Sequence, residues 1–394
     1  KTGVPAPYAL YLILFGVGTV WLAHAHGWSA LRWPVALAAD IAVAGMTLRT
    51  LAPEHSADAA AAILLQMTLV GACVTTIALR TLLRHRQVTP FEIVQTALAR
   101  LVGFGGAIML TRSSAAVPGL MGLASLVFGA ACYAFATRIV GTREVRGWNA
   151  WFYTTLALVL VIAGLALDLR GPWLGAVLAV LAVLAVATWF RRGRLYLLLH
   201  GVAYLVAAGI ASGALRYGGW ALVSSPEKWV RPAPVMVAVA VAAALCAWFA
   251  ARQADPQVEA PAKGARLVVV VVLVWVASGC VVGLLASTAA GPGDGAVDLG
   301  VLATIRTGVL AAATLLVALV ARRDGFREWA WLVYPLLVFV GLKMVAQDFG
   351  HSRPATLFIA LAFYGAALIV APRLRKARGR DVVADHRSEP AEST

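Results

Sequence analysis

The residues most able to do chemistry in this sequence are ionisable side chains set inside long apolar runs. Placing one at bilayer depth costs ~2.5–3.5 kcal/mol on insertion scales, so each needs a partner or a purpose. Arg306 and Lys343 sit in the outer halves of two such runs, and Asp348, His351 and Arg353 follow Lys343 closely. Arg49 approaches the same surface on another run. Together they could form a positively charged pocket suited to a lipid phosphate or another anionic headgroup. The plainer reading is snorkelling side chains and local pairs such as Lys343 with Asp348. Asp40 and Arg100 lie at similar depths in two further runs. They read either as a buried pair that fixes helix register or as part of an ion or substrate path. His351 with Asp348 is the acid–base couple near a surface that an intramembrane transferase would need.

Other polar groups read as structure. Cys73, Cys132, Cys246 and Cys280 each lie alone in an apolar run and form no C-x-x-C pair, so they read as small core residues. His200 reads as a packing residue; His24 and His26 are too distant in sequence to pair with it on a haem. No cofactor and no metal is expected, and no residue is assigned a catalytic role. Thr89-Pro90-Phe91-Glu92 is a capping box with proline at the first helical position, which accounts for Glu92. Gln66 and Gln95 can bond across helices. Gly209 with Gly213, and Gly279 with Gly283, give two GxxxG faces for close packing.

The elements that must position these residues follow from composition. Of 394 residues, 61% are hydrophobic and 13% charged. Soluble domains are roughly 45–50% apolar and about 25% charged. The medium is therefore lipid, and the fold class is an all-α, polytopic transmembrane helical bundle. About 20 apolar residues cross the ~30 Å hydrocarbon layer as a helix. Spans are predicted near 7–25, 33–52, 60–80, 91–111, 118–138, 150–168, 173–190, 195–215, 233–251, 267–288, 300–321, 329–347 and 355–371, about thirteen in all. Residues 216–233 are expected to form the longest outer loop, and few Pro or Gly breaks fall inside spans.

Charge sets the orientation. Every second connection is basic: Arg80, Arg84 and Arg86; Arg138, Arg143 and Arg146; Arg191, Arg192 and Arg194; Arg252, Lys263 and Arg266; Arg322, Arg323 and Arg327. The tail adds Arg373, Arg375, Lys376, Arg378 and Arg380. Those segments face the cytoplasm, the C-terminus with them, and the N-terminus lies outside. This distribution explains the net charge of +15 and argues against a nucleic-acid partner, since no basic stripe is interleaved with aromatics. The chain begins at Lys1, which points to an upstream segment; no basic n-region or cleavage site frames the first run.

The domain reading is one transmembrane helical domain over 1–372, then a basic and polar cytoplasmic tail over 373–394 expected to be disordered. Within it, 148–194 resembles 329–378. Each has a Trp-containing start, an apolar span, Asp168 or Asp348, then Arg170 with Pro172 or Arg353 with Pro354, a second span and a basic end. This reads as an array of helical hairpins, or as the ordinary likeness of membrane hairpins.

The stretch Lys343-Met344-Val345-Ala346-Gln347-Asp348, then Arg353-Pro354 and a span with Gly365, resembles the terminal module of large uncharacterised bacterial polytopic membrane proteins. Pro90-Phe91-Glu92-Ile93-Val94-Gln95 resembles proteins of the same kind. The resemblance implies a many-helix bacterial inner-membrane protein and no activity. Arg in excess of Lys, with abundant Ala and Val, fits a GC-rich bacterial genome. Three functions remain open: a non-catalytic protein that binds or translocates an anionic lipid or amphiphile, a scaffold or accessory subunit of a larger membrane complex, and an intramembrane lipid-linked transferase. The expected partners are membrane lipids and, for the second, other membrane subunits.

Overall fold

The structure is a computed structural model that describes residues 6–26, 32–83, 89–113, 118–139, 145–224, 229–252, 260–290, 297–323, 326–348 and 354–387. Regular structure among them is helical throughout. In lipid every backbone amide must be satisfied within its own segment, which leaves the helix as the element these apolar runs can form. The outer surface agrees: Leu101 is 72% exposed and Phe358 73%, as side chains facing acyl chains are. Among the described residues eight helices are long and apolar enough to cross a membrane, and a bent pair makes a ninth candidate.

The chain divides into two compact units, Lys1–Leu169 and Arg170–Thr394. The boundary falls in the turn of the first expected hairpin repeat. Unit 1 holds α1 (Ala6–His26), α2 (Arg32–Thr50), α3 (Ala59–Leu83), α4 (Pro90–Ser113), α5 (Pro118–Ile139) and α6 (Val145–Asp168). The first four pack together around Ile13, Val43, Met46, Leu65, Leu69, Ala99 and Leu110. The α5–α6 pair is tightly packed, because Gly129 and Gly164 let the two backbones approach. Its core of Cys132, Tyr153, Leu156 and Leu160 meets Ile77 of α3. Between α4 and α6 there is little contact, and a groove opens there.

The capping box at the start of α4 forms as the sequence requires. Thr89 donates its backbone N–H (2.7 Å) and its hydroxyl (2.9 Å) to Glu92 Oε2, and the Glu92 N–H donates back to Thr89 Oγ1 at 3.4 Å. Helices α2 and α4 fall outside the eight candidates. They carry Asp40, Arg49, Glu92, Gln95 and Arg100, polar side chains that lower their hydropathy.

Unit 2 holds α7 (Pro172–Arg192), α8 (Leu195–Ala211), α9 (Ala214–Val223), α10 (Pro234–Arg252), α11 (Ala260–Ala289), α12 (Leu299–Val320), α13 (Ala330–Lys343) and α14 (Pro354–Arg387). One π-helical turn, Met344–Asp348, continues α13, which also contains Pro335. The expected span 195–215 and loop 216–233 are corrected here. The helix breaks at Ser212–Gly213 and resumes as α9 with a 64° bend. Gly213 takes φ +75°, which only glycine adopts at little cost, so it is a hinge rather than half of a GxxxG face. Ser212 Oγ donates to Ala208 O (2.7 Å), which also accepts the Ser212 N–H, and it accepts the Ala214 N–H (3.3 Å), a donor the break frees. The other glycine pair does pack closely: Gly279 abuts Gly218 of α9, and Gly283 abuts Tyr217. Trp275 Nε1 donates to Leu215 O (3.0 Å), which ties α9 to α11. The basic stretch after 372 begins as a continuation of α14.

Candidate functional site

Arg306 and Lys343 both converge on the same stretch of α12. Arg306 is 3% exposed. Its Nε donates to Ala221 O at 2.7 Å, its Nη2 donates to Ser224 O, and the guanidinium lies 5.9 Å from the Trp229 ring centroid. Ala221 and Ser224 end α9, where the last carbonyls have no intrahelical donor and the helix dipole is negative. Lys343 Nζ donates to Ala303 O (3.0 Å) and Thr307 Oγ1 (2.9 Å). Both cations therefore use donors on acceptors of the fold. Arg49 is half-buried at the C-terminal end of α2, in unit 1. The Asp348 side chain, His351 and Arg353 lie outside the described residues, and with them the Asp348–His351 couple.

In unit 1, the expected Asp40–Arg100 pair gives way to a different partnership. Asp40, 3% exposed, accepts from Gln95 Nε2 at 2.9 Å. Among the described residues it forms no ion pair with Arg100, and its Oδ1 has no hydrogen-bond partner. The reason is helical phase. Gln95 and Arg100 are five residues apart, roughly 140° around α4, so the face that meets α2 presents Gln95 and Arg100 turns away. One helical face deeper, Gln66 Nε2 of α3 donates to Thr47 Oγ1 of α2 at 2.7 Å, with Gly106 of α4 against both.

Arg100 instead lines the groove between α4 and α6, near Cys73 and Cys132. Its Nε and Nη2 are enclosed and have no hydrogen-bond partner. These two nitrogens form one edge of the guanidinium, the edge that donates two parallel bonds to a carboxylate or phosphate. The groove has a volume of about 820 Å³. Its walls are Ile93, Ala97, Leu101 and Gly105 of α4 and Trp151, Phe152, Leu156, Val159 and Ala163 of α6, with Thr96 of α4 and Thr155 of α6 also in the lining.

Sequence reasoning missed Thr96 and Arg266. Thr96 is 2% exposed and its hydroxyl has no partner. Its spacing of four from Arg100 was the available signal, since residues i and i+4 share a face. Arg266, expected in a cytoplasmic loop, is 5% exposed within α11. It lies over Trp189 (5.3 Å) and 3.7 Å from Glu328. His200 is buried, with its ring centroid 5.9 Å from that of Tyr196.

Fold and site together define a multi-pass membrane protein, helical throughout its described residues' regular structure, with an apolar groove in its first unit. No protein-family model matches the chain, and neither a curated protein nor a solved structure does.

Proposed function

We propose that this chain is a non-catalytic bacterial inner-membrane protein that holds an anionic amphiphile in the α4–α6 groove. The full topology of this reading is about thirteen spans arranged as helical hairpins, with the N-terminus outside and the C-terminus cytoplasmic. The likeness of its last hairpin to uncharacterised bacterial polytopic proteins supports the placement. One observation carries the functional part: a cation with an enclosed, unpartnered donor edge beside an apolar groove. An unsatisfied buried donor costs about 1–3 kcal/mol, more when charged, so an anion that engages it gains in proportion. The Arg306 and Lys343 pair is assigned to holding the fold, because main-chain carbonyls already engage it.

The test is native mass spectrometry of the detergent-purified protein titrated with anionic and zwitterionic lipids and with a fatty acid. The wild type should retain an anionic amphiphile in preference to a zwitterionic one. Arg100→Gln should lower that retention about tenfold, the equivalent of one charge-assisted hydrogen bond. Equal retention by the wild type and Arg100→Gln would remove the groove from this role.

A further inference from the structure

The groove's chemistry narrows the ligand class, on the assumption that the amphiphile reading above holds. We propose that the ligand is a long-chain acyl carboxylate, with its head on Thr96 and Arg100 and its chain running toward Gly105 and Ala163.

Depth is the first argument. Arg100 lies ten residues into α4, about 15 Å from Pro90 at 1.5 Å per residue, which is half of a ~30 Å hydrocarbon layer. A phospholipid head is tied to glycerol and a polar substituent, and all of these would have to leave the interface together. A fatty acid has one polar group, and the rest of it belongs in hydrocarbon.

Charge is the second. Arg100 is the one charged residue among those lining the groove, so the site neutralises a single negative charge. Its enclosed, unpartnered edge carries two parallel N–H groups, the number that the two oxygens of a carboxylate accept.

The third is Thr96. Helical threonines usually turn the hydroxyl back to the carbonyl four residues earlier, as Thr47, Thr50, Thr68, Thr154, Thr188 and Thr314 do here. Thr96 makes no such bond, although it is buried one turn from Arg100 on the same face. It is a free donor next to the guanidinium.

The fourth is shape. From Ile93 to Gly105 the groove runs about 18 Å along α4. An extended acyl chain can lie along a groove of that length. Beyond Arg100 the lining is apolar, and a Cβ on Gly105 would meet nothing within 4 Å, which leaves that end open.

The experiment is photo-crosslinking of the full-length protein in nanodiscs with a diazirine-labelled C16 fatty acid. Crosslinked peptides are identified by mass spectrometry. Competitors are unlabelled palmitate, hexadecanol and phosphatidylglycerol. Label should fall on the 97–105 and 156–163 segments, and palmitate should displace it about tenfold better than the alcohol or the phospholipid. Thr96→Val should weaken labelling several-fold without moving it. Gly105→Leu adds bulk where nothing lies within 4 Å, so it should fold normally yet shift preference to shorter chains. If phosphatidylglycerol competes as well as palmitate, the carboxylate assignment is overturned while the amphiphile reading survives. If the label is absent from both segments and no anionic lipid competes, both readings fall.

Discussion

The two units bury their cations in opposite ways. In unit 2, Arg306 closes the carbonyl end of α9 and Lys343 bonds Ala303 O and Thr307 Oγ1 of α12. In unit 1, Arg100 keeps an enclosed donor edge without a partner and borders an 820 Å³ groove. All three would score alike on a hydropathy scale. What separates structural from ligand-ready cations is where the nearest unsatisfied carbonyls are. The end of α9 at Val223 leaves the acceptors that Arg306 uses. Helix α4 is unbroken, so its carbonyls bond within the helix and offer Arg100 none.

The sharpest way to break this comparison is to replace both arginines by leucine and follow thermal unfolding in detergent. Arg306→Leu strips donors from two buried carbonyls, each charge-assisted bond being worth ~1.5–3 kcal/mol. We expect a loss of about 3 kcal/mol or more, seen as a large fall in Tm or failure to accumulate folded protein. Arg100→Leu removes a buried charge that the fold does not satisfy, so Tm should hold or rise. Equal destabilisation by the two would show that Arg100 is structural as well.

A smaller effect separates the groove wall from the interior of unit 1, using two adjacent glycines. A Cβ on Gly106 meets Gln66 Nε2, with Thr47 Cγ2 at 2.9 Å and Thr47 Oγ1 at 3.1 Å, so Gly106→Ala must disturb the Gln66–Thr47 bond. The expected cost is ~1–2 kcal/mol, from overpacking and a weakened buried hydrogen bond. Gly105→Ala meets nothing and should gain about 0.5–1 kcal/mol from the lost backbone freedom of glycine. Differential scanning fluorimetry of the two variants checks both signs.

Much of the helix layout was legible in the sequence. Apolar runs, prolines at helix starts and the Thr89–Glu92 box mark the ends of elements, because these signals act within a few residues. The break at Gly213 was not legible. It depends on Trp275, Gly279 and Gly283 receiving a short helix, contacts some sixty residues away. Asp40 and Arg100 both stand out in the sequence as charges inside apolar runs. Matching depth suggested they should pair, but depth carries no information about helical phase, and the structure gives Asp40 to Gln95. Thr96 went unnoticed because a helical threonine ordinarily satisfies itself. Only the geometry shows that this one does not.

The smallest effect concerns Arg266, a fourth buried cation and a second kind of structural solution. It rests on Trp189 and approaches Glu328, which lies outside the spans. Burial raises the Glu328 carboxyl above its ordinary pKa, against the opposing pull of Arg266 and Lys263. A carboxyl whose folded pKa exceeds its unfolded one binds its proton more tightly when folded. Its contribution then favours folding below the unfolded pKa and is lost as pH rises through the folded pKa. Glu328→Gln keeps the side chain's shape and cannot titrate. Paired thermal scans from acidic to neutral pH should therefore show the wild type losing ground to Glu328→Gln as pH rises. The difference near neutrality should stay within ~1 kcal/mol, the range for partly exposed pairs. A wild type that gains on the variant with rising pH would mean that attraction to Arg266 outweighs burial. Arg266 would then join Arg306 as a cation whose partner is part of the fold's stability, and the contrast with Arg100 would be wider.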